Sequence, residues 1–208
     1  MSTVISIKQK SEIFVGRIED GLTRYVDNRR VVVITDANID RLYHHIIERF
    51  EHIIIGHGEG SKNLVTVQKI YTRLMEIGAD RSTLLLGIGG GIVTDVTGFV
   101  ASTYMRGLDF GFVPTTLLAQ VDASVGGKNG VNLLHYKNMV GTFAQPSFVI
   151  TDVEFLRTLP PRELRAGMGE VVKMAIVGDK ELFTFVEENI SSECYTNTDI
   201  MQRIVLDS

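Results

Sequence analysis

Short apolar runs rich in β-branched residues recur along the chain, and each run ends in a polar or glycine-rich turn. Five of them predict buried strands, at residues 31–35, 53–55, 84–88, 110–113 and 148–150. Stretches with helical periodicity separate them, which is the alternation typical of βα units around a mostly parallel sheet. Because the carboxyl ends of parallel strands meet at one edge, we expect the chemistry of this protein in those turns.

The pattern changes after residue 152. Pro160 and Pro161 mark a helix start, since proline is favoured at the first helical positions, and strand signals then stop. Residues 162–206 predict helices interrupted near 178–179 and 191–198. We therefore predict an α/β domain with a Rossmann-like, mostly parallel sheet over residues 1–157, followed by the start of an all-helical domain over residues 158–208.

The two ends of the chain add two expectations. A strand at residues 12–15 is predicted to form an edge hairpin with the opening residues. The last eight residues resemble the middle of an amphipathic helix, so we expect the chain to be a fragment. A half-built helical domain would then expose the apolar face formed by Met201, Ile204 and Val205.

Composition restricts the class of protein. The 208 residues include 21 Lys and Arg against 25 Asp and Glu, a net charge of −4, with 44% hydrophobic residues, which is ordinary for a globular protein. Basic residues are scattered, so we expect no nucleic-acid partner. The longest uncharged stretch, 138–151, is shorter than the roughly 20 residues that span a bilayer. The single cysteine, Cys194, fits a reducing compartment, and we expect a cytoplasmic protein.

Gly89, Gly90 and Gly91 follow a buried strand and open a helix. Backbone without side chains can approach a pyrophosphate closely, and a helix N-terminus favours its negative charge. The spacing departs from the G-x-G-x-x-G pattern, and a tight turn without a ligand explains the same residues.

Three further strand ends carry polar pairs: Asp36 and Asn38, Glu59 and Lys62, and Thr115 and Thr116. The first pair could accept hydrogen bonds from an adenosine ribose or cap the next helix. The second presents opposite charges to a dinucleotide or forms a solvated turn. The third offers hydroxyls to a ligand or caps a helix.

A helix carrying Asp122 ends in a double glycine that returns Lys128 toward the same edge, and Lys137 and Asn138 follow. Two lysines and an amide suit a small phosphate or carboxylate, with the aspartate available for hydroxyls. A surface charge cluster is the alternative.

Glu170 and Lys173 lie three residues apart, on one helical face among apolar neighbours. A partly buried carboxylate needs a cation, which is either this lysine in an ion pair or a divalent metal. No histidine follows Glu170 in the chain, and one ligand does not make a metal site.

Together these motifs closely resemble the 3-dehydroquinate synthase family in order and spacing. The resemblance covers nearly the whole chain and rests on residues 89–99, 102–107, 113–122, 126–128, 137–138 and 167–173. It implies an NAD-binding domain followed by the start of a helical domain. Thr94 and Asn129 depart from the family pattern, in which many members have glycine and threonine.

The resemblance also implies roles for particular residues. NAD is implied to lie against Asp36, Asn38, Glu59, Lys62, Gly90, Gly91, Ile92, Asp95, Thr115, Thr116, Lys128, Lys137, Phe155, Thr158 and Leu159. The residues implied to act on substrate are Asp122, Lys128, Asn138 and Lys173. Glu170 is implied to ligate a divalent metal, zinc or cobalt, with two histidine ligands lying beyond residue 208. Arg106 is implied to reach the substrate phosphate of a neighbouring subunit, so a homodimer is expected.

The implied activity is that of a carbon–oxygen lyase of the shikimate pathway, which leads to chorismate and the aromatic amino acids. The implied substrate is 3-deoxy-D-arabino-heptulosonate 7-phosphate, converted to 3-dehydroquinate and phosphate by transient oxidation with NAD, elimination, reduction and intramolecular aldol closure. On this basis the chain alone would bind NAD without turnover. A related sugar-phosphate cyclase, a glycerol or alcohol dehydrogenase of similar fold, and a non-catalytic NAD-binding module remain alternatives.

Overall fold

A computed structural model describes residues 2–7, 11–26, 28–191 and 194–208. The strands are β1 (Thr3–Ile7), β2 (Ser11–Val15), β3 (Val31–Asp36), β4 (Glu51–Ile55), β5 (Leu84–Gly89), β6 (Phe110–Pro114), β7 (Lys128–Leu133), β8 (Tyr136–Phe143) and β9 (Phe148–Thr151). The α-helices are α1 (Ile18–Tyr25), α2 (Ala37–Ile47), α3 (Leu64–Glu76), α4 (Gly91–Thr103), α5 (Pro161–Gly178), α6 (Lys180–Asn189) and α7 (Thr198–Asp207).

Shorter helical turns connect several of these elements. Four are 3-10 turns, at Glu59–Ser61, Tyr104–Arg106, Val153–Thr158 and Cys194–Thr196. The segment predicted as a helix carrying Asp122 is a short π-helix, Ala119–Ala123.

Seven strands form one sheet in the order β1-β2-β9-β6-β5-β3-β4. All neighbouring pairs are parallel except β1 with β2, which form an antiparallel hairpin at the edge. The five predicted strands, the edge hairpin and the α/β fold class are therefore confirmed. The residues that join the two hairpin strands, 8–10, lie outside the described residues.

Helices cover both faces of this sheet, which explains why its strands are continuously apolar. On one face α3 and α4 pack over side chains such as Val32, Leu85 and Phe112. On the other, α1 and α2 pack over Val33 and Ile88 among others.

A third apolar cluster joins the helical segment to the sheet. It unites α5, α6 and α7 with residues that precede the helices, including Leu117 and Leu156. The expectation that Met201, Ile204 and Val205 would be exposed is wrong, because they are 1%, 2% and 9% exposed in this cluster. The predicted helix start and both helix interruptions are confirmed, whereas the boundary of the domains stays a prediction.

A two-stranded antiparallel hairpin, β7–β8, was not predicted. It packs on α4 and touches the loop before α3 through a bridge between Asn63 and Asn132. Its outer side carries exposed apolar residues, so its strands lack the alternation that identifies a half-buried strand. The hairpin forms one wall of the site described below.

The order of the strands locates a crevice. From β3 the chain passes to β4 on one side and then returns to β5 on the other, so the direction of winding reverses between β3 and β5. Ligands of open α/β sheets bind outside the carboxyl ends of the strands at such a point. Within the described ranges, no helix is long and apolar enough to cross a bilayer. The thiol of Cys194 is buried.

Candidate active site

A cleft of about 620 Å³ lies at this reversal point, within the roughly 300–1,000 Å³ typical of ligand sites. Most of the residues predicted to bind NAD line it: Asp36, Asn38, Glu59, Lys62, Gly90, Gly91, Ile92, Asp95, Thr115, Thr116, Thr158 and Leu159. The edge of the sheet therefore brings together turns that lie up to 123 positions apart in the chain (159 − 36).

The N-terminus of α4 opens into this cleft. Gly90 is its N-cap and supplies no side-chain hydrogen bond to the first N–H groups of the helix. A Cβ added at Gly90 would lie 3.0 Å from Cγ2 of Thr116, and one at Gly91 would lie 3.4 Å from Cβ of Ala123. Glycine thus keeps the helix end open, and the arrangement fits a bound anion such as a pyrophosphate.

Asp36 ends β3 and caps α2. Its Oδ1 accepts hydrogen bonds from the N–H groups of Asn38, at 2.8 Å, and Ile39, at 3.0 Å. The capping alternative from the sequence is therefore confirmed. The carboxylate also lines the cleft, so capping does not exclude a hydrogen bond to a ligand.

The two threonines after β6 differ in their hydrogen bonding. Oγ1 of Thr116 accepts from the N–H of Ala119 at 3.2 Å and so acts as a helix cap. Oγ1 of Thr115 is buried and has no partner among the described residues. A buried hydroxyl without a partner is costly, so a polar ligand in the cleft fits this position.

Lys62 is a buried cation at the inner end of the cleft, only 6% exposed. Its Nζ donates hydrogen bonds to Oδ2 of Asp95 and, at 2.5 Å, to Oδ1 of Asn138. Burial raises the pKa of the Asp95 carboxyl although the Lys62 ammonium acts in the opposite direction. A buried charge of this kind is tolerated because it is paired and hydrogen-bonded.

A second cavity of about 340 Å³ adjoins the cleft and shares Asp95 with it. Lys128 and Asn138, both predicted to act on substrate, line this cavity. Gly126 and Gly127 adopt φ of +89° and +69°, which turns the chain back so that Lys128 begins β7 here.

Three residues predicted to bind NAD lie outside the cleft wall: Lys128, which lines the adjoining cavity, Lys137 and Phe155. Lys137 is exposed, with Nζ 3.8 Å from Oε1 of Glu59. Phe155 is 3% exposed and packs edge-on against Tyr43, with ring centroids 4.6 Å apart. The hydroxyl of Tyr43 lies 2.6 Å from that of Thr158, which lines the cleft. Phe155 therefore packs against a residue that contacts the cleft wall.

Glu170 and Lys173 form an ion pair on α5. The hydrogen bond that Lys173 donates to Glu170 raises the pKa of Lys173, and the Asp122 carboxylate adds to the effect. Asp122 also raises the pKa of Asp95, so it lies within Coulombic reach of both the ion pair and the cleft.

The ion-pair alternative for Glu170 is thus observed. In the part of the chain that the structure describes, no three Asp, Glu, His or Cys residues are grouped to hold a metal ion. The residues present offer one carboxylate to a metal and do not form a metal site by themselves.

Arg106 lies at the far end of α4, in the turn Tyr104–Arg106. The 13 residues of α4 span about 20 Å, so this arginine is remote from the glycine turn of its own chain. It is exposed, and its backbone φ of 68° is uncommon for a residue other than glycine.

Sequence reasoning missed two buried or partly buried asparagines. Asn129 fills the space beside Gly98, and Asn132 bonds to Glu59 and Asn138. A clue was present in the density of asparagine and glycine between Lys128 and Asn138, since these residues tolerate bulges and left-handed backbone.

Comparison with known proteins agrees with this geometry. The family described as "3-dehydroquinate synthase N-terminal" matches residues 52–166. The 3-dehydroquinate synthase of Alkaliphilus metalliredigens (strain QYMF) is 47% identical over 167 residues, which are 77% of this chain and 47% of that protein. The chain spans about half the length of the curated relatives that it matches.

Solved structures share the fold. The 2-epi-5-epi-valiolone synthase of Streptomyces hygroscopicus subsp. jinggangensis 5008, with NAD+ and Zn2+ bound, has a TM-score of 0.83 and 28% identity, covering 98% of this chain and 62% of that one. A 2-deoxy-scyllo-inosose synthase complexed with carbaglucose-6-phosphate, NAD+ and Co2+ has a TM-score of 0.83 and 27% identity, covering 100% and 62%. With more than half of its residues matched by the family description, the chain belongs to the 3-dehydroquinate synthase family.

Proposed function

We propose that this chain is the NAD-binding part of a 3-dehydroquinate synthase, which converts 3-deoxy-D-arabino-heptulosonate 7-phosphate to 3-dehydroquinate and phosphate. The observation that carries the proposal is the pairing of two cavities through Asp95: a glycine-lined cleft suited to a dinucleotide, and a cavity containing Lys128 and Asn138. The curated relatives named 3-dehydroquinate synthase support the choice of reaction. Cytoplasmic location stays a prediction.

The chain's own residues divide between the two ligands. The open N-terminus of α4 would hold the pyrophosphate, and Asp36 would accept a hydrogen bond from a ribose hydroxyl. Thr115 would direct its unpartnered hydroxyl to the same ligand. When bound, NAD+ supplies reversible acceptance of a hydride, so the reaction needs no net oxidant.

Lys128 and Asn138 would orient the substrate in the adjoining cavity. The ammonium of Lys128 would offset negative charge on a phosphate or carboxylate, and the amide of Asn138 would bond a hydroxyl. Lys173, which pairs with Glu170 on α5, would supply a further positive charge for the substrate.

Two roles depend on groups outside this chain. Glu170 would contribute one carboxylate to a divalent metal, zinc or cobalt as in the structural neighbours, whose role would be to polarise a substrate oxygen. Arg106 lies a helix length from the cleft of its own chain, and the family resemblance is the ground for proposing that it reaches the substrate phosphate of a second subunit. We accordingly propose a homodimer.

Phosphate release from 3-deoxy-D-arabino-heptulosonate 7-phosphate, with NAD+ and Zn2+, tests this function in the full-length protein. Phosphate release without accumulation of NADH is the expected result. Net NADH formation would instead indicate a dehydrogenase. Release only from other sugar phosphates would indicate a related cyclase, which the likeness to the valiolone and inosose synthases favours as the second candidate.

NAD+ binding to the chain itself is tested by calorimetry. Gly91→Val would place a branched side chain toward Ala123 at the mouth of α4, and we expect it to abolish binding while the chain stays folded. Gly178→Val, at a helical glycine with open space around it, is the matched control and should bind NAD+ normally. Equal affinity of all three proteins would contradict the assignment of the cleft.

A further inference from the structure

Asn132 lies at an irregularity of the β7–β8 hairpin, where the register shifts between Val131 and Leu133. Opposite it, Asn138 adopts a left-handed backbone with φ of 53°, a conformation that asparagine tolerates better than most residues. The N–H of Asn138 donates to Oδ1 of Asn132 at 2.9 Å. A side chain thus takes a place that a backbone carbonyl fills in a regular ladder.

Three hydrogen bonds close a ring around this irregularity. The N–H of Asn132 donates to the carbonyl of Lys62 at 2.9 Å, and Nζ of Lys62 donates to Oδ1 of Asn138 at 2.5 Å. With the bond between the two asparagines, the Lys62–Asn132–Asn138 ring ties the hairpin to the turn that follows β4.

On each side of the ring, a carboxylate accepts a hydrogen bond from one of its members. Nδ2 of Asn132 donates to Oε1 of Glu59 at 2.8 Å, while Nζ of Lys62 bonds Asp95. Glu59 lines the dinucleotide cleft, and Asn138 lines the adjoining cavity. Asn132 therefore bonds two residues of the cleft, Glu59 and Lys62, and one residue of the adjoining cavity, Asn138, and itself lines neither of these two cavities.

We propose that Asn132 is a positioning residue that sets the Glu59 carboxylate for the dinucleotide and the Asn138 backbone for the substrate, and so couples the two sites. The inference rests on the proposed function. The role needs a neutral side chain with a donor at one end and an acceptor at the other, which an amide supplies and a carboxylate does not.

Asn132→Asp tests this directly. The new carboxylate keeps the acceptor for Asn138 but faces Glu59 with a like charge. We expect NAD+ affinity, measured by calorimetry, to fall about 10- to 100-fold at pH 8. Affinity should recover as the pH falls toward 5, because a proton shared by the two carboxyls restores a donor. The unmodified chain should show no comparable recovery.

Asn197→Asp is the matched control. It makes the same substitution outside the walls of both cavities, and an aspartate caps α7 as well as the asparagine that now accepts from the N–H groups of Asp199 and Ile200. We expect its NAD+ affinity to stay within about twofold of the unmodified chain, since its cap survives.

The outcomes separate the two proposals. Failure of the unmodified chain to bind NAD+ would contradict the proposed function. The positioning role alone would be overturned if the unmodified chain binds NAD+ and Asn132→Asp matches it at every pH, or if Asn197→Asp loses as much affinity as Asn132→Asp. If Asn132→Asp does not fold, the double variant Asn132→Asp with Glu59→Gln is measured instead. In it the amide of residue 59 donates to the carboxylate of residue 132, so the hydrogen bond is restored with its direction reversed. Failure of the double variant to regain a cooperative melting transition would also overturn the role.

Discussion

The side-chain amide of Asn129 lies directly against Gly98, where α4 packs on β7. Asn129 is 5% exposed, and its Nδ2 donates to the carbonyls of Gly127, at 3.0 Å, and Ala144, at 2.9 Å. These bonds join the two sides of the hairpin base and hold the amide in place. The absence of a side chain at Gly98 is the condition for this contact, because an added Cβ would overlap Oδ1 of Asn129.

Gly98→Ala should therefore destabilise the chain although alanine is the better helix former. Overpacking against an amide that cannot withdraw costs about 1–3 kcal/mol, more than the gain from helix propensity. Urea unfolding measures the difference. Gly169→Ala, at a helical glycine with open space, should instead stabilise by roughly 0.4–1 kcal/mol. Equal effects at the two glycines would contradict the contact.

Asp36→Asn should change the choice of dinucleotide without weakening α2. Asparagine is as good an N-cap as aspartate, so stability should hold. Removing the negative charge removes its repulsion of the extra phosphate of NADP+, whose affinity should rise about tenfold or more, measured by calorimetry. Asp40→Asn removes a charge from the same helix outside the cleft wall, and it should leave NADP+ affinity unchanged.

Ile204→Ala tests the third apolar cluster. Because Ile204 is 2% exposed, truncation should cost about 2–5 kcal/mol in the free energy of unfolding. Ile176→Ala removes the same atoms from a side chain that is 66% exposed, and its cost should stay within about 0.5 kcal/mol. Similar costs for both would show that α7 is not docked in solution.

The phenol of Tyr25 should ionise at a higher pH than that of a free tyrosine. Its hydroxyl donates to Oε2 of Glu12 at 2.7 Å, and burial together with this bond raises its pKa to about 12. Because the folded pKa lies above the unfolded value of 10.0, the phenol's contribution to stability is complete below pH 10 and is lost as the pH rises toward 12. Ultraviolet titration should show the delayed ionisation. Tyr25→Phe should flatten the decline in unfolding free energy over that interval.

The strands of the main sheet were predictable because both of their faces are covered. A strand such as Leu84–Gly89 is apolar at almost every position, and the glycines that follow it predict a close approach of the backbone to a ligand. The same logic predicted Asp36, Glu59 and Thr115 at one edge, since parallel strands bring distant turns together. The predictions of Ile92, Asp95, Thr158 and Leu159 depended on the family resemblance instead.

The hairpin and its ring were not predictable by that logic. Leu134, Tyr136 and Phe143 are apolar yet 84%, 63% and 88% exposed, so hydrophobicity does not mark the buried side of β7 and β8. The bonds of Asn132 depend on a bulge and on left-handed backbone at Asn138, which arise from tertiary packing. The burial of Met201 and Ile204 likewise depends on packing against α5 and α6. The apolar pattern of α7 alone does not show which other helices pack against it.

The position of β2 in the sheet has a consequence for the order of folding. It pairs with β9, and the N–H of Ile18 donates to Asp152, 134 positions away in the chain. A growing polypeptide therefore completes the β1–β2 hairpin long before β9 has been synthesised, and contacts of such separation form slowly. Until Thr151 emerges, the inner edge of β2 carries unpaired N–H and carbonyl groups, so β1 and β2 are secured only after the other strands of this sheet have been made.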